Sequence, residues 1–207
     1  MPLSTATERE LIHLRDISLR GYHRADGLFD IEAHLRDTKT RGFDGLDRPG
    51  GRIEPGEPLH DMWARMTVDE DMVIVAFEAV TAYGPFDVCR QSGRHFDRLA
   101  GLTIGPGFLR EANARVGGID GCTHLREMLQ QMATTAYQTL WPVRLRRAEE
   151  HRRQLAEAGQ APAEEARPVL LNTCYGYADT RDAVRRRWPR LYRGSGSEAA
   201  GAADGTT

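Results

Sequence analysis

Cys122 and His124 stand two residues apart in the segment "GGIDGCTHLREML", at the start of a long apolar-striped helix. The unpaired N–H groups at a helix N-terminus stabilise a thiolate, so Cys122 is a candidate catalytic thiol with His124 as its partner. Side chains at positions i and i+2 of a regular helix point about 200° apart. Both therefore reach one site only if Cys122 caps the helix. The alternative is a buried thiol beside a locally capping histidine.

Three further segments place reactive side chains at boundaries of secondary structure. His60 and Asp61 begin a strand after a long loop, and at most one of them points into a given pocket, because adjacent strand residues face opposite sides. Cys89 begins a helix. Asp37 and Lys39 end the first hairpin, where they could act as acid or base, and Lys39 is the one lysine among 28 lysine and arginine residues. We expect these segments to meet the cysteine–histidine pair at one end of the sheet.

Motifs for large organic cofactors are missing from the chain. It holds no G-x-G-x-x-G, no P-loop and no G-x-S-x-G, so neither a nucleotide nor a flavin cofactor is expected. The cysteines also lack the paired C-x-x-C spacing of a structural zinc site. A metal site assembled from separate segments stays open, with Zn²⁺ or another divalent metal as the candidate cofactor.

Composition argues against several classes of partner. A formal net charge of −2 predicts no general attraction to nucleic acid or to an anionic membrane surface. No apolar run approaches the roughly 20 residues that cross a bilayer, and the first residues lack a signal-peptide layout, so a cytoplasmic location is expected. In that compartment the three cysteines are thiols or metal ligands rather than disulfides. The expected partner is a small-molecule substrate, with a homo-oligomer left open.

Two β-hairpins are predicted in the first part of the chain. Residues 11–37 alternate around a turn at Asp26–Gly27, and residues 60–82 alternate around Asp69–Asp71. The glycine- and proline-rich segment 40–58 between them is predicted to be a loop without regular structure. The sequence therefore predicts four mainly antiparallel strands. Alternation predicts one shared face on each strand of the second hairpin. The residues are Met62, Ala64, Met66 and Val68 on the third strand, and Val73, Val75, Phe77 and Ala79 on the fourth.

The rest of the chain is predicted to be mainly helical, which gives an α+β class because the strands precede the helices. The expected helices cover 88–99, 107–116 and 122 to about 157, with Pro142 breaking or kinking the third. A charged helix and linker run from 143 to 166, a last ordered segment follows, and residues 194–207 should be disordered. We predict one α+β domain over residues 1–193, with a mainly antiparallel four-stranded sheet packed against three or more helices.

Several motifs together resemble a known bacterial family. They are "RADGLFDIEAHLRDTK", "GEPLHDMWARMTVDEDMVI", "PFDVC", "LAGLTIGPGF", "GGIDGCTHLREML", "LNTCYGYADT" and "WPRLY". The resemblance covers roughly residues 15 to 192. At these motifs the sequence resembles the domain-of-unknown-function family DUF2889. Members occur largely in bacteria that degrade aromatic compounds, so the resemblance implies a lyase acting on lignin-derived aromatics. The family has a histidine where this chain has Tyr175, which argues against a metal-ligand role for Cys174.

A second and more remote resemblance concerns layout. The order of loop, hairpin, cysteine-led helix and second cysteine-led helix is similar to iron–sulfur scaffold proteins of the IscU/NifU type. In those proteins three cysteines at such junctions converge on one cluster, and the resemblance places Cys89 and Cys122 at the second and third junctions. Asp61 matches the acidic residue near the first junction, where Leu59 or His60 replaces the first cysteine. With only two thiolates, a site including His60 suits Zn²⁺ better than a cluster.

Two functions of different classes follow as alternatives. The first is a small cytoplasmic lyase that cleaves a C–C or C–O bond of an aromatic compound. Its candidate catalytic residues are His60, Asp61, Cys122, His124, Lys39 and Asp37, its candidate metal ligands are His60, Cys89 and Cys122, and its candidate substrate-binding residues are Trp63, Tyr175 and Tyr177. The second is a non-catalytic scaffold that handles a metal or an iron–sulfur unit. A deep cavity beside the histidine favours the enzyme, and a closed, shallow metal site favours the scaffold. A plain binding module with core cysteines is a third alternative.

Overall fold

The computed structural model describes residues 3–45, 47–160, 168 and 170–194. The chain divides into two units, residues 1–148 and 149–207, and each is described by itself. The single domain predicted over 1–193 stays a prediction. Residues 195–207 of the predicted disordered tail and residues 161–166 of the predicted linker lie outside the described residues.

Six strands form two antiparallel sheets among the described residues of the first unit. In chain order they are β1 (His13–His23), β2 (Phe29–Lys39), β3 (Phe43–Asp44), β4 (Arg52–Ile53), β5 (Pro58–Val68) and β6 (Ile74–Tyr83). The large sheet has the order β1-β2-β5-β6, so the two predicted hairpins lie side by side through β2 and β5. The segment 40–58 is not a plain loop, because β3 and β4 pair within it and bury Ile53.

One face of the large sheet carries the core. The buried apolar residues on β2 and β5 occur at every second position: Phe29, Ile31, Ala33, Leu35, Met62, Ala64, Met66 and Val68. The prediction for β6 is wrong, since Ile74 and Phe77 are buried while Val75 is 48% exposed. A bulge between Thr67 and Val68 inserts an extra residue opposite them and shifts the alternation.

Helical segments cover the buried face. They are the 3-10 segment Asp87–Leu99 and the helices α1 (Phe108–Val116) and α2 (Thr123–Glu157). The first of these was predicted as a short helix over 88–99, and its turns are of the 3-10 type. The apolar stripe of α2 is buried as predicted, and the helix crosses β1 closely enough that a Cβ at Gly21 would meet Thr139. The predicted extent of α2, from 122 to about 157, is confirmed, and Pro142 does not break the helix. The exposed position of Pro142 lets solvent satisfy the carbonyl that lacks a donor.

The second unit, as far as it is described, contains the end of α2 and the short helix α3 (Asp182–Arg187). Tyr175 and Tyr177 lie in a 3-10 turn of this unit, and the ring of Tyr177 contacts Trp188. No helix among the described residues has the length and apolarity needed to cross a membrane. The sheet and helices together confirm the predicted α+β class.

Candidate active site

Arg15, Asp37 and His60 stand opposite one another on β1, β2 and β5. Asp37 is 1% exposed, and His60 is also buried. Arg15 donates two hydrogen bonds to Asp37, from Nε to Oδ1 and from a terminal nitrogen to Oδ2, and both are 2.8 Å long. His13 Nε2 lies 3.1 Å from Oδ1 and His60 Nδ1 lies 2.8 Å from Oδ2. Asp37 is therefore a buried carboxylate with partners on every side, as a buried charge requires.

The contacts around Asp37 keep it ionised. Burial raises the pKa of this carboxyl group, but the hydrogen bonds from Arg15, His13 and His60 outweigh burial and hold the pKa well below its usual range. A carboxylate has about four lone-pair positions, and each oxygen of Asp37 already has two partners. Asp37 consequently serves as a fixed acceptor that orients its neighbours.

His60 is held in one tautomer by this carboxylate. Because Asp37 is ionised, Nδ1 of His60 donates to it and Nε2 keeps its lone pair. Burial lowers the pKa of His60, the neighbouring His124 lowers it further, and Asp37 opposes both effects without cancelling them. His60 is thus a neutral, oriented imidazole near neutral pH, which is the form a general base needs.

Cys122 occupies the cap position that would let it act with His124. Its carbonyl accepts the N–H of Arg126 at 3.0 Å, so it is the residue from which α2 begins. Burial raises the pKa of the Cys122 thiol, but hydrogen bonds from the His124 side chain and from the backbone N–H groups of Leu125 and His124 lower it overall. The His124 ring lies against that of His60, with 3.8 Å between centroids and a 36° tilt.

A cavity of about 440 Å³ opens beside these groups. Its lining includes His60, Cys89, Cys122 and His124, four of the residues singled out from the sequence. Cys89 reaches it from the first turns of the 3-10 segment, where its side chain packs against Gly84. Segments far apart in the chain therefore meet at one end of the sheet.

Several predicted site residues lie elsewhere. Asp61 and Trp63 are on the face of β5 opposite to that of His60. There the Nε2 atom of His34 lies 2.9 Å from Oδ1 of Asp61. The His34 ring also stacks on Trp63, with 3.7 Å between ring centroids. Neither lines the cavity beside His60, because both stand at odd offsets from it along the strand. Lys39 ends β2 opposite the backbone of His13 and does not line the cavity. Tyr175 and Tyr177 belong to the second unit.

Asp37, His60 and His124 each offer one ligand-type atom within 4.8 Å of the others, which is close enough for a metal site. The predicted ligands Cys89 and Cys122 are not in this group. The donor set fits a metal through the two imidazoles, because all the lone pairs of Asp37 are already used. Asp37 would then orient a ligating histidine from the outer shell.

Two residues that contact Asp37, His13 and Arg15, were missed in the sequence. The Asp26–Gly27 turn offered a signal, because a short hairpin turn fixes the register of the strands that it joins. In that register Arg15 stands opposite Asp37. A buried aspartate with an arginine directly across the strand pair indicates a charge that the fold must keep.

Comparisons with known proteins place the chain in a family. Neither the curated proteins nor the solved structures include a significant match to it, so the layout resemblance to iron–sulfur scaffolds stays a prediction. The model of the family described as "Protein of unknown function (DUF2889)" matches residues 13–138, which contain the large sheet, the cavity and the start of α2. Because this match covers more than half of the chain, the protein belongs to the DUF2889 family.

Proposed function

We propose that the protein is a lyase that cleaves a C–O or C–C bond of a small aromatic compound by acid–base chemistry in the cavity. The observation that carries the proposal is the neutral, carboxylate-oriented His60 facing the same cavity as Cys122 and His124. A base and a potential proton donor on one cavity wall are the minimum that such an elimination needs. The aromatic substrate is the one implied by the family resemblance.

The chemistry balances without an oxidant or a co-reactant. Nε2 of His60 takes a proton from the carbon next to the bond to be broken, and the electron pair of that C–H bond forms a new double bond. The C–O bond breaks with its electrons on the departing oxygen, which takes a proton from the thiol of Cys122. For a C–C bond, the proton comes from a hydroxyl that becomes a carbonyl, and the departing carbon is protonated. Asp37 keeps its charge throughout and stabilises the protonated His60.

The test is a product analysis with a panel of phenolic aryl ethers and aryl propanediols. A lyase gives two products whose masses add up to that of the substrate, whereas a hydrolase gives a sum larger by one water. We expect His60→Gln and Cys122→Ser to lower turnover by about 100-fold or more. His34→Gln is the matched control, because His34 pairs with Asp61 on the other face of the same two strands. Full turnover in His60→Gln would refute the proposal.

A metal-handling scaffold is the second candidate, favoured by the ligand atoms gathered within 4.8 Å. His60 and His124 would hold Zn²⁺ for delivery to a partner protein, with Asp37 orienting His60. Elemental analysis of protein purified without chelators separates the cases. Stoichiometric zinc that is lost in His60→Gln and His124→Gln, together with unchanged panel compounds, would favour the scaffold. Turnover that survives removal of bound metal by a chelator would favour the metal-independent lyase.

A further inference from the structure

The mouth of the cavity carries an apolar rim that the acid–base groups do not explain. Phe86 is 53% exposed, Val88 is 64% exposed and Ile119 is fully exposed. They come from two segments, the entry to the 3-10 segment and the short turn Gly118–Asp120, and all three line the cavity. Single exposed apolar residues are ordinary, but three around one opening mark a surface that an apolar ligand covers.

The charged residues in the cavity lining indicate that the ligand is not an anion. Among the described residues that line the cavity there is no arginine or lysine, and Asp120 is the one carboxylate. A neighbouring cavity, which shares Phe86 with this one, is lined by Arg48 and Arg90, and there Asp47 and Asp87 balance the two arginines. A carboxylate entering beside His60 would lose water without gaining a fixed cation, and it would also meet the charge of Asp120.

The size of the cavity sets an upper bound on the ligand. A cavity of about 150 Å³ is enough for benzene, and this one measures about 440 Å³. It therefore accommodates one substituted ring or two linked rings, within the usual range of small-molecule sites.

We infer that the cavity selects uncharged aromatic compounds over aromatic carboxylates, with the apolar rim of Phe86, Val88 and Ile119 against the ring and Asp120 repelling anions. The reacting substituent of the ring then reaches His60 at the inner wall. This inference rests on the proposed function, since it names the substrate class of the same site.

The experiment compares two probes with the same ring, vanillyl alcohol and vanillate, by saturation-transfer NMR titration of the full chain at neutral pH. We expect vanillyl alcohol to bind and vanillate to bind about tenfold more weakly, because the carboxylate is desolvated without a cation. Equal affinity for the two probes, or tighter binding of vanillate, would overturn the inference.

Two variants test whether the apolar rim binds the ring and whether Asp120 repels the carboxylate. Ile119→Ser should weaken vanillyl alcohol binding roughly threefold and leave the melting temperature unchanged, since this side chain is fully exposed. Val75→Ser changes an exposed valine outside the cavity. It is the matched control and should bind vanillyl alcohol as the parent protein does.

Asp120→Asn should raise the affinity for vanillate about two- to threefold and leave the affinity for vanillyl alcohol unchanged. An Ile119→Ser variant that binds normally, or an unchanged affinity ratio in Asp120→Asn, would contradict the assignment.

Binding and turnover separate this inference from the proposed function. If vanillate binds as well as the alcohol while His60→Gln abolishes lyase activity, the selectivity is refuted and the lyase stands. If the alcohol is selected while His60→Gln retains full turnover, the lyase is refuted and the binding preference stands.

Discussion

His60 and Asp37 pair directly across β5 and β2, with 2.8 Å between Nδ1 and Oδ2. The same two strands carry a second histidine–aspartate pair on the opposite face, His34 and Asp61, with 2.9 Å between Nε2 and Oδ1. The two pairs differ in their surroundings. The first is buried beside a cavity, whereas His34 and Asp61 are 25% and 19% exposed. The His34–Asp61 pair is therefore an internal control for the effect of burial on the His60–Asp37 pair.

Replacing Asp37 by asparagine should lower the stability of the fold and disturb the geometry of the site. Arg15 would lose its bidentate partner and His60 the acceptor that fixes its tautomer. Breaking a buried pair costs about 3–5 kcal/mol, and we expect roughly 2–3 kcal/mol here because Arg15 is partly exposed and keeps Glu127. Urea unfolding measures the loss, with Asp61→Asn as the control at well under half that cost. Equal losses in the two variants would show that burial of Asp37 adds nothing.

The stabilising effect of Asp37 should depend on pH in a defined direction. Its pKa is lower in the folded protein than the 3.8 of a free aspartate, so the unfolded chain binds the proton first as the pH falls. The pKa of His60 also differs between the two proteins, so the comparison is confined to acid pH. There the difference in free energy of unfolding between the parent and Asp37→Asn should shrink as the pH falls below about 4. Urea titrations at several pH values check this. A difference that grows as the solution becomes more acidic would contradict the lowered pKa.

Local patterns in the sequence were enough to predict the hairpins, the start of α2 and the apolar face of β5. Asp26–Gly27 closes a tight turn, and the alternation from Met62 to Val68 is uninterrupted. The face of β6 could not be predicted in this way, because the bulge opposite Thr67 and Val68 depends on packing rather than on local pattern.

The site was predicted in part, for a related reason. A short turn fixes the register of β1 against β2, so the contact between Arg15 and Asp37 was available in principle. The register of β2 against β5 depends on the long connecting segment 40–57 and on a bulge between Asp37 and Thr38, near the end of β2. No sequence rule fixes a register over such a connection, so Asp37 could be chosen as a candidate but not paired with His60.

The two neighbours of His60 should move its pKa in opposite directions. His124 lowers this pKa and Asp37 raises it, while burial keeps it below 6.5 in the parent. We therefore expect the pKa of His60 to rise in His124→Gln and to fall in Asp37→Asn. Two-dimensional NMR of the imidazole C–H groups as a function of pH measures both, with His34 followed in the same spectra. Shifts of the same sign in the two variants would refute this account of the site.

The thiol of Cys122 should owe part of its reactivity to His124. The hydrogen bond from the His124 side chain favours the thiolate, so its loss in His124→Gln should slow alkylation of Cys122 by iodoacetamide about three- to tenfold at pH 7. Mass spectrometry of the peptides gives the rate at each cysteine. Cys174, an exposed thiol in the second unit, is the internal reference and should react at the same rate in both proteins. An unchanged rate at Cys122 would show that the helix terminus alone sets its reactivity.

Gly121 should be required where the chain turns into α2. A Cβ at this position would overlap the carbonyl oxygen of Val116, a backbone atom that cannot rotate away. Gly121→Ala should therefore lower the free energy of unfolding by about 1–3 kcal/mol and displace the adjacent Cys122 thiol. Gly105→Ala is the matched control, since nothing lies within 4 Å of its added Cβ and its φ is not positive. Because the strain falls where the cap of α2 forms, Gly121→Ala should also slow alkylation of Cys122. A variant that is destabilised but keeps the full alkylation rate would show that the cap forms independently of this close approach.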